Sequence, residues 1–285
     1  MPGIAQQGNQ APLGCVIIQV KVHASVGPPV GNALCDYPFA SLPRIFAIAW
    51  DAKTQQPCQP VRVVHETTVT EGPMAYNEFT LDMLITQFHL QVYEERSYFT
   101  AFAPRPISDL LRQILQENVP LALDISTEKA RSEFIIAPVL LEVRRQLQFR
   151  ISLFSGVELT VNPEQGLRGV CDFLFSLSPL QLTIQAPVVM VVEAKNENIK
   201  QGISQCLAEM VAAQQFNHDR NTTMEAIYGV VTTGSAWKFL RLTETHVMVD
   251  ATEYHISQVE QIVGILVAMI QHAAGERPED TAVQT

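Results

Sequence analysis

The chain has no CxxC pair and no cysteine and histidine spaced for zinc. Its cysteines are few and odd in number: Cys15, Cys35, Cys58, Cys171 and Cys206 among 285 residues. Disulfide scaffolds and zinc modules are recognised by such spacings, so the expectation is free thiols in a reducing, cytoplasmic setting. Long hydrophobic runs are lacking too. The longest, Val188 to Val192 and Ile262 to Ile270, fall far short of the roughly 20 residues a bilayer span needs. No basic segment followed by an apolar one opens the chain, so a soluble protein with no membrane role is expected. There is no GxSxG elbow and no GxGxxG opening a helix, and "TTGSAWK" lacks the GxxxxGK[ST] spacing that cradles phosphates. Positive charge is also in deficit. The formal net charge is −10, which argues against a generic nucleic-acid coat, because phosphate binding is driven by clustered Lys and Arg.

The deficit is uneven. Residues 242–285 carry seven acids (Glu244, Asp250, Glu253, Glu260, Glu276, Glu279, Asp280) against Arg277, which places −6 of the −10 there. Residues 167–241 hold six acids and six bases and are neutral.

What is present begins with apolar content. At 47% hydrophobic residues a sizeable core is possible. Residues 1–73 differ from the rest, with nine of the 17 prolines, six of the 14 glycines and three of the five cysteines. The strand-like pieces "CVIIQVKVH" and "RIFAIAWDA" are broken by turn signals. They are expected to form a poorly ordered extension or a small β module, and Met74 is a plausible alternative start. Residues 74–285 are expected to form one domain with its core at about 126–250.

From Met74, "MAYNEFTLDMLITQF" places Phe79, Leu81, Met83, Leu84 and Phe88 on one helical stripe. "ISDLLRQIL" (107–115) and "STEKARSEFIIAPVLLEVRRQL" (126–147) read as helices. Ser126 or Thr127 suits the cap of the second, and Pro138 predicts a kink in it. Strand candidates follow at 155–162, 169–177 and 187–195, then a helix at 198–216 with Ile199, Ile203, Cys206, Leu207 and Met210 on its apolar face. "NHDRN" (217–221) reads as a turn-rich, solvated loop. A buried strand at 226–234, a closing hairpin ("AWKFLRL", "HVMVD") and an amphipathic helix at 256–274 complete the chain. The order from 126 is α-β-β-β-α-β, an α/β class with a mixed central sheet flanked by helices.

The chemistry gathers at "PVVMVVEAKNENIKQGISQ" (187–205). Side chains at i and i+2 of a strand share a face, so Glu193 and Lys195 point one way and Ala194 the other. The preceding strand carries a lone acid in an apolar setting, Asp172 in "VCDFLF". If these strands pair, Asp172, Glu193 and Lys195 converge at one edge of the sheet. Two carboxylates buried together need a positive neighbour. Mg²⁺ meets that need, accepting one or two carboxylates, waters and phosphate oxygens, and the Ala194 carbonyl is a further candidate ligand. A lysine beside such an ion orients or helps deprotonate a water, or stabilises charge on a phosphoryl group. The plainer alternative is an ordinary strand end, with Lys195 paired to Glu193 or Glu197 and Asp172 capping a turn. Glu209, one turn beyond Gln205, is expected to be solvated, and Trp237 to pack the hairpin.

Asp172, then Glu193-Ala194-Lys195 on the next strand, then Gln205 on the following helix resemble the PD-(D/E)XK nuclease superfamily, whose core has a similar element order. "VVEAKNENI", "GISQCLAEM" and "YGVVTTGSAWKFLRL" resemble the N-terminal nuclease-type domain of type I restriction enzyme R subunits. The likeness covers about residues 126–250 and extends toward Met74. It implies a restriction-endonuclease-like fold with Asp172, Glu193 and the Ala194 carbonyl holding Mg²⁺ or Mn²⁺. It also implies Lys195 as catalytic base, Gln205 as a supporting residue and Glu133 as an extra acid on the long helix. The implied substrate is nucleic acid, DNA foremost, and a homodimer or a partner subunit is compatible with it. The departure is at the first motif, where Cys171-Asp172 stands for Pro-Asp. A reading of another class is an inactive form of the fold serving as a binding or interaction module, which the acidic balance favours.

Overall fold

A computed structural model describes residues 74–95 and 98–276, so the expectations for residues 1–73 lie outside the described residues. In chain order the elements are α1 (Leu81–Phe88), β1 (Gln91–Glu95), α2 (Asp109–Ile125), α3 (Glu128–Arg131), α4 (Ala137–Gln146), β2 (Ser152–Glu158) and β3 (Val170–Ser176). Then come β4 (Val188–Ala194), α5 (Ile199–Asp219), β5 (Ile227–Thr232), β6 (Ala236–Thr243), β7 (His246–Asp250), β8 (Tyr254–His255) and α6 (Val259–Ala273).

The strands form one mixed sheet in the order β1-β7-β6-β5-β4-β3-β2, with β8 on β6. β1 runs parallel to β7 and β4 parallel to β5, whereas the other pairs are antiparallel. Strand alternation sends Phe173, Phe175, Val192 and Ala194 into a core shared with α2, α4 and α6. Leu174 and Val191 enter the other core, shared with α1 and α5. The sheet is thus covered on both faces, which is why β4 is apolar from Val188 to Val192. Among the described residues no helix is long and apolar enough to cross a membrane.

The long helix expected at 126–147 is present but interrupted. Ser126 closes α2 in the left-handed region at φ 53°, and Thr127 caps α3 by accepting from the Ala130 N–H at 3.2 Å. Pro138 has no N–H to give the Phe134 carbonyl four residues earlier. The backbone widens into a π-helical turn over Ser132–Ile136, and Asn118 Nδ2 donates to the freed Phe134 carbonyl at 3.3 Å.

Other expectations need adjustment. α1 starts at Leu81, where Thr80 accepts from the Met83 N–H, so Phe79 precedes the helix. α2 continues through Pro120 to Ile125, well past the predicted 115. The "NHDRN" stretch is no free loop. Its first three residues are the last turn of α5, and Asn217 is buried, accepting from the Val188 N–H at 2.7 Å and donating to the Val188 carbonyl at 2.6 Å. β1 had no expectation at all. The hairpin, by contrast, is as expected, with Trp237 fully buried and its Nε1 donating to the Gly234 carbonyl at 2.9 Å.

Candidate functional site

β3 and β4 pair as far as Phe173 opposite Val192, and Asp172 and Glu193 are the residues that follow on the two strands at that end. Asp172 Oδ2 accepts from the Ala194 N–H at 2.8 Å, which ties the acid to the end of the neighbouring strand. Lys195 follows β4 directly, and its N–H is held by the Thr232 carbonyl at 2.8 Å. Its ammonium donates to Glu193 Oε1 and to Gln205 Oε1, the latter at 3.1 Å. Gln205 in turn donates through Nε2 to Glu209 Oε1 at 3.3 Å. Gln205 and Glu209 are four apart on α5 and therefore share a face.

Two local features bring α5 this close. Asn198 caps the helix, accepting from the Lys200 N–H at 3.0 Å. Gly202 then lets the first turn lie against the sheet, since a Cβ there would stand 2.5 Å from Val231 Cγ1 and 3.0 Å from Lys195 Cγ.

The cluster holds three carboxyl groups and one ammonium, with Glu193 and Glu209 buried and Asp172 and Lys195 partly exposed. Glu193 is 1% exposed and Glu209 0%. Burial foremost, then the Asp172 charge, raises the Glu193 carboxyl from its ordinary 4.5 to about 7, against the opposing pull of Lys195. Glu209 is pushed well up by burial and by Glu193. Neither Glu193 Oε2 nor Glu209 Oε2 finds a donor, so the two carboxyl groups bond to each other only by sharing a proton. Asp172 is raised by burial, partly offset by the Ala194 N–H and by Lys195. For Lys195 burial acts downward, but Glu193, then Glu128 and Asp172, outweigh it and hold the ammonium protonated.

A cleft of about 270 Å³ leads to Asp172, lined by Glu128, Lys129, Ser132, Glu133 and Gly156 among others. Glu133 thus lies on the approach, but its carboxylate is half-exposed and paired with Lys129 at 2.6 Å. Glu128, at the start of α3, is the helix acid whose charge acts on Lys195. Among the described residues no three His, Cys, Asp or Glu side chains are grouped to hold a metal unaided. The oxygen donors at hand are Asp172, Glu193 and the Ala194 carbonyl. Glu193 Oε2, buried without a donor, becomes available to a hard cation when the proton shared with Glu209 leaves.

The expectation of a solvated Glu209 is wrong: it is the most enclosed acid of the group. Its spacing from Gln205 was visible, but Leu207 and Met210 flanking it gave no sign that the helix buries nearly all round from Cys206 to Ala213. No protein-family model and no curated protein matches the chain.

Proposed function

We propose that the chain is a Mg²⁺- or Mn²⁺-dependent nuclease of restriction-endonuclease-like architecture that hydrolyses a nucleic-acid backbone, DNA foremost. The observation that carries this reading is the meeting of Asp172, Glu193 and Lys195 where the β3–β4 ladder ends, with Asp172 tied to the Ala194 N–H and the Lys195 ammonium on Glu193. Two apposed carboxylates short of positive charge, at the end of a buried strand and beside a cleft, are a setting for a divalent cation and a phosphate. Asp172, Glu193 and the Ala194 carbonyl would hold it. Such an ion supplies Lewis acidity toward a phosphate oxygen and a water of lowered pKa.

The side chains have separable tasks. Lysine has three N–H donors and no acceptor. One Lys195 donor goes to Glu193 and one to Gln205, which leaves one for an incoming water or a phosphate oxygen. While Glu193 and Asp172 hold its proton on, Lys195 stabilises developing negative charge. Serving as a base requires that hold to be relieved, as charge neutralisation at the two carboxylates would do. Gln205 fixes the ammonium without adding charge. Asp172, tied to the Ala194 N–H, keeps its second oxygen for the ligand role.

A second reading, the inactive fold as a binding module, has one observation in its favour. The cleft carries Glu128, Glu133 and Asp172 against a single lysine, Lys129, which repels phosphate unless a cation intervenes. The test is cleavage of supercoiled plasmid and of labelled single strands by the full chain in Mg²⁺, Mn²⁺ or EDTA, beside Glu193→Ala and Lys195→Ala. Cleavage that needs metal and falls at least ~100-fold in both variants is the expected result. No cleavage, together with no Mn²⁺ binding by calorimetry, would hand the protein to the module reading.

A further inference from the structure

We propose that Glu209 is a positioning residue. Its carboxylate oxygen fixes the amide of Gln205 with the carbonyl toward Lys195, and so sets where the Lys195 ammonium stands. The inference rests on the reading of Glu193 and Lys195 as the reacting site.

The argument is one of donor and acceptor order. A lysine ammonium only donates, so Gln205 must turn Oε1 toward it, as the 3.1 Å contact shows. The opposite end of the amide then presents Nε2, a donor that needs an acceptor in a dry place. Glu209 Oε1 supplies it at 3.3 Å, one helical turn away. An amide between a cation and a carboxylate has a single good orientation, whereas an amide facing an apolar side chain loses that bond and its preference.

The fold itself has little use for this carboxyl group. Glu209 is fully buried, makes no ion pair among the described residues, and has neighbours that include Cys171, Cys206 and Tyr76. Its second oxygen has no donor other than a proton shared with Glu193. An apolar side chain of similar size would suit that environment better. An acid that weakens the core, while ordering one of the two groups that hold Lys195, serves the site and not the packing.

Two variants separate acceptor from shape. Glu209→Gln keeps an oxygen for Gln205 Nε2, and Glu209→Leu removes it while filling the space, with Glu209→Met as substitute should the leucine variant not fold. The first readout needs no turnover: the side-chain amide resonance of Gln205 in ¹H–¹⁵N spectra of the full chain, assigned with Gln205→Ala. It should move in the leucine variant and stay in place in the glutamine variant, and the leucine variant should melt no lower than the native protein. The second readout is metal-dependent plasmid cleavage. The glutamine variant should retain activity within about threefold, while the leucine variant loses at least about tenfold in kcat with KM changed less than about twofold. Should the native chain cut nothing in any metal, the nuclease reading fails and the resonance alone decides. Displacement in both variants or in neither overturns the positioning role, as does equal loss of activity in both.

Discussion

Glu193 and Glu209 make stability a function of pH in an unusual direction. Glu193 titrates near its ordinary 4.5 in the unfolded chain and at about 7 in the folded one, so the native state binds the extra proton between those values. The stabilisation is therefore fully present below about 4.5 and is lost as pH rises through about 7, a loss on the order of 3 kcal/mol for a shift of this size. Glu209, also raised by burial and by Glu193, acts in the same sense. Glu142 has the opposite sign. Burial pushes it up, but hydrogen bonds from Ser108, Gln146 and Arg145 outweigh that and lower it, so its contribution is lost on the acid side, below the Glu193 window. Melting temperature in EDTA should accordingly fall from pH 5 to pH 8, and Glu193→Gln should flatten the slope. Mn²⁺ at pH 8 should restore much of the loss, because it binds the charged form of the native state. A flat profile in the native protein would mean that Glu193 is charged at no cost, and the carboxyl cluster would lose its claim to need a cation.

The elements that build the site depend on close approach more than on propensity. Gly202 sits in the first turn of α5, where alanine would ordinarily add up to about 1 kcal/mol of helix stability. Here the added methyl meets Val231 Cγ1 at 2.5 Å and the Lys195 stem at 3.0 Å. Gly202→Ala should therefore destabilise, by about 1–3 kcal/mol as an overpacked core does, and should displace Lys195 while leaving Asp172 on β3 in place. The midpoint of urea unfolding checks the sign. A gain in stability would show that α5 stands farther from the sheet. How much of this was legible varies by element. β4, α5, β5 and the β6–β7 hairpin follow from apolar runs and periods in the sequence, since burial on one or both faces dictates those patterns. β1 does not: "QVYEE" alternates neither cleanly nor apolarly, and it becomes a strand only because the parallel edge of β7 is available. A break near Pro138 was legible, but its form was not: a wide turn over Ser132–Ile136 whose Phe134 carbonyl accepts from Asn118, a residue of another helix.

At the scale of the whole molecule, Asp172, Glu193, Lys195 and Gln205 were legible as a group because each lies at a fixed offset on its own strand or helix. Pairing of β3 with β4 and packing of α5 then bring them together. Glu209 was not legible, because only the full depth of packing around α5 makes a polar residue there costly. What composition alone conveys least is the field. A net charge of −10 and a cleft lined by Glu128, Glu133 and Asp172 against Lys129 oppose a polyanion, while Lys195 is already engaged by Glu193. If the site accepts a phosphodiester, the cation must come first or with it. Affinity for a short labelled duplex, measured by anisotropy at constant ionic strength, should thus be weak in EDTA. It should rise at least about tenfold with Ca²⁺, a hard cation whose oxygen ligands are those the site offers. Glu193→Ala should remove most of that rise while leaving binding in EDTA nearly unchanged or slightly stronger, because the variant deletes an acid. Equal binding with and without Ca²⁺ would place the phosphates on a surface remote from Glu193, and the carboxyl cluster would then have no part in holding nucleic acid.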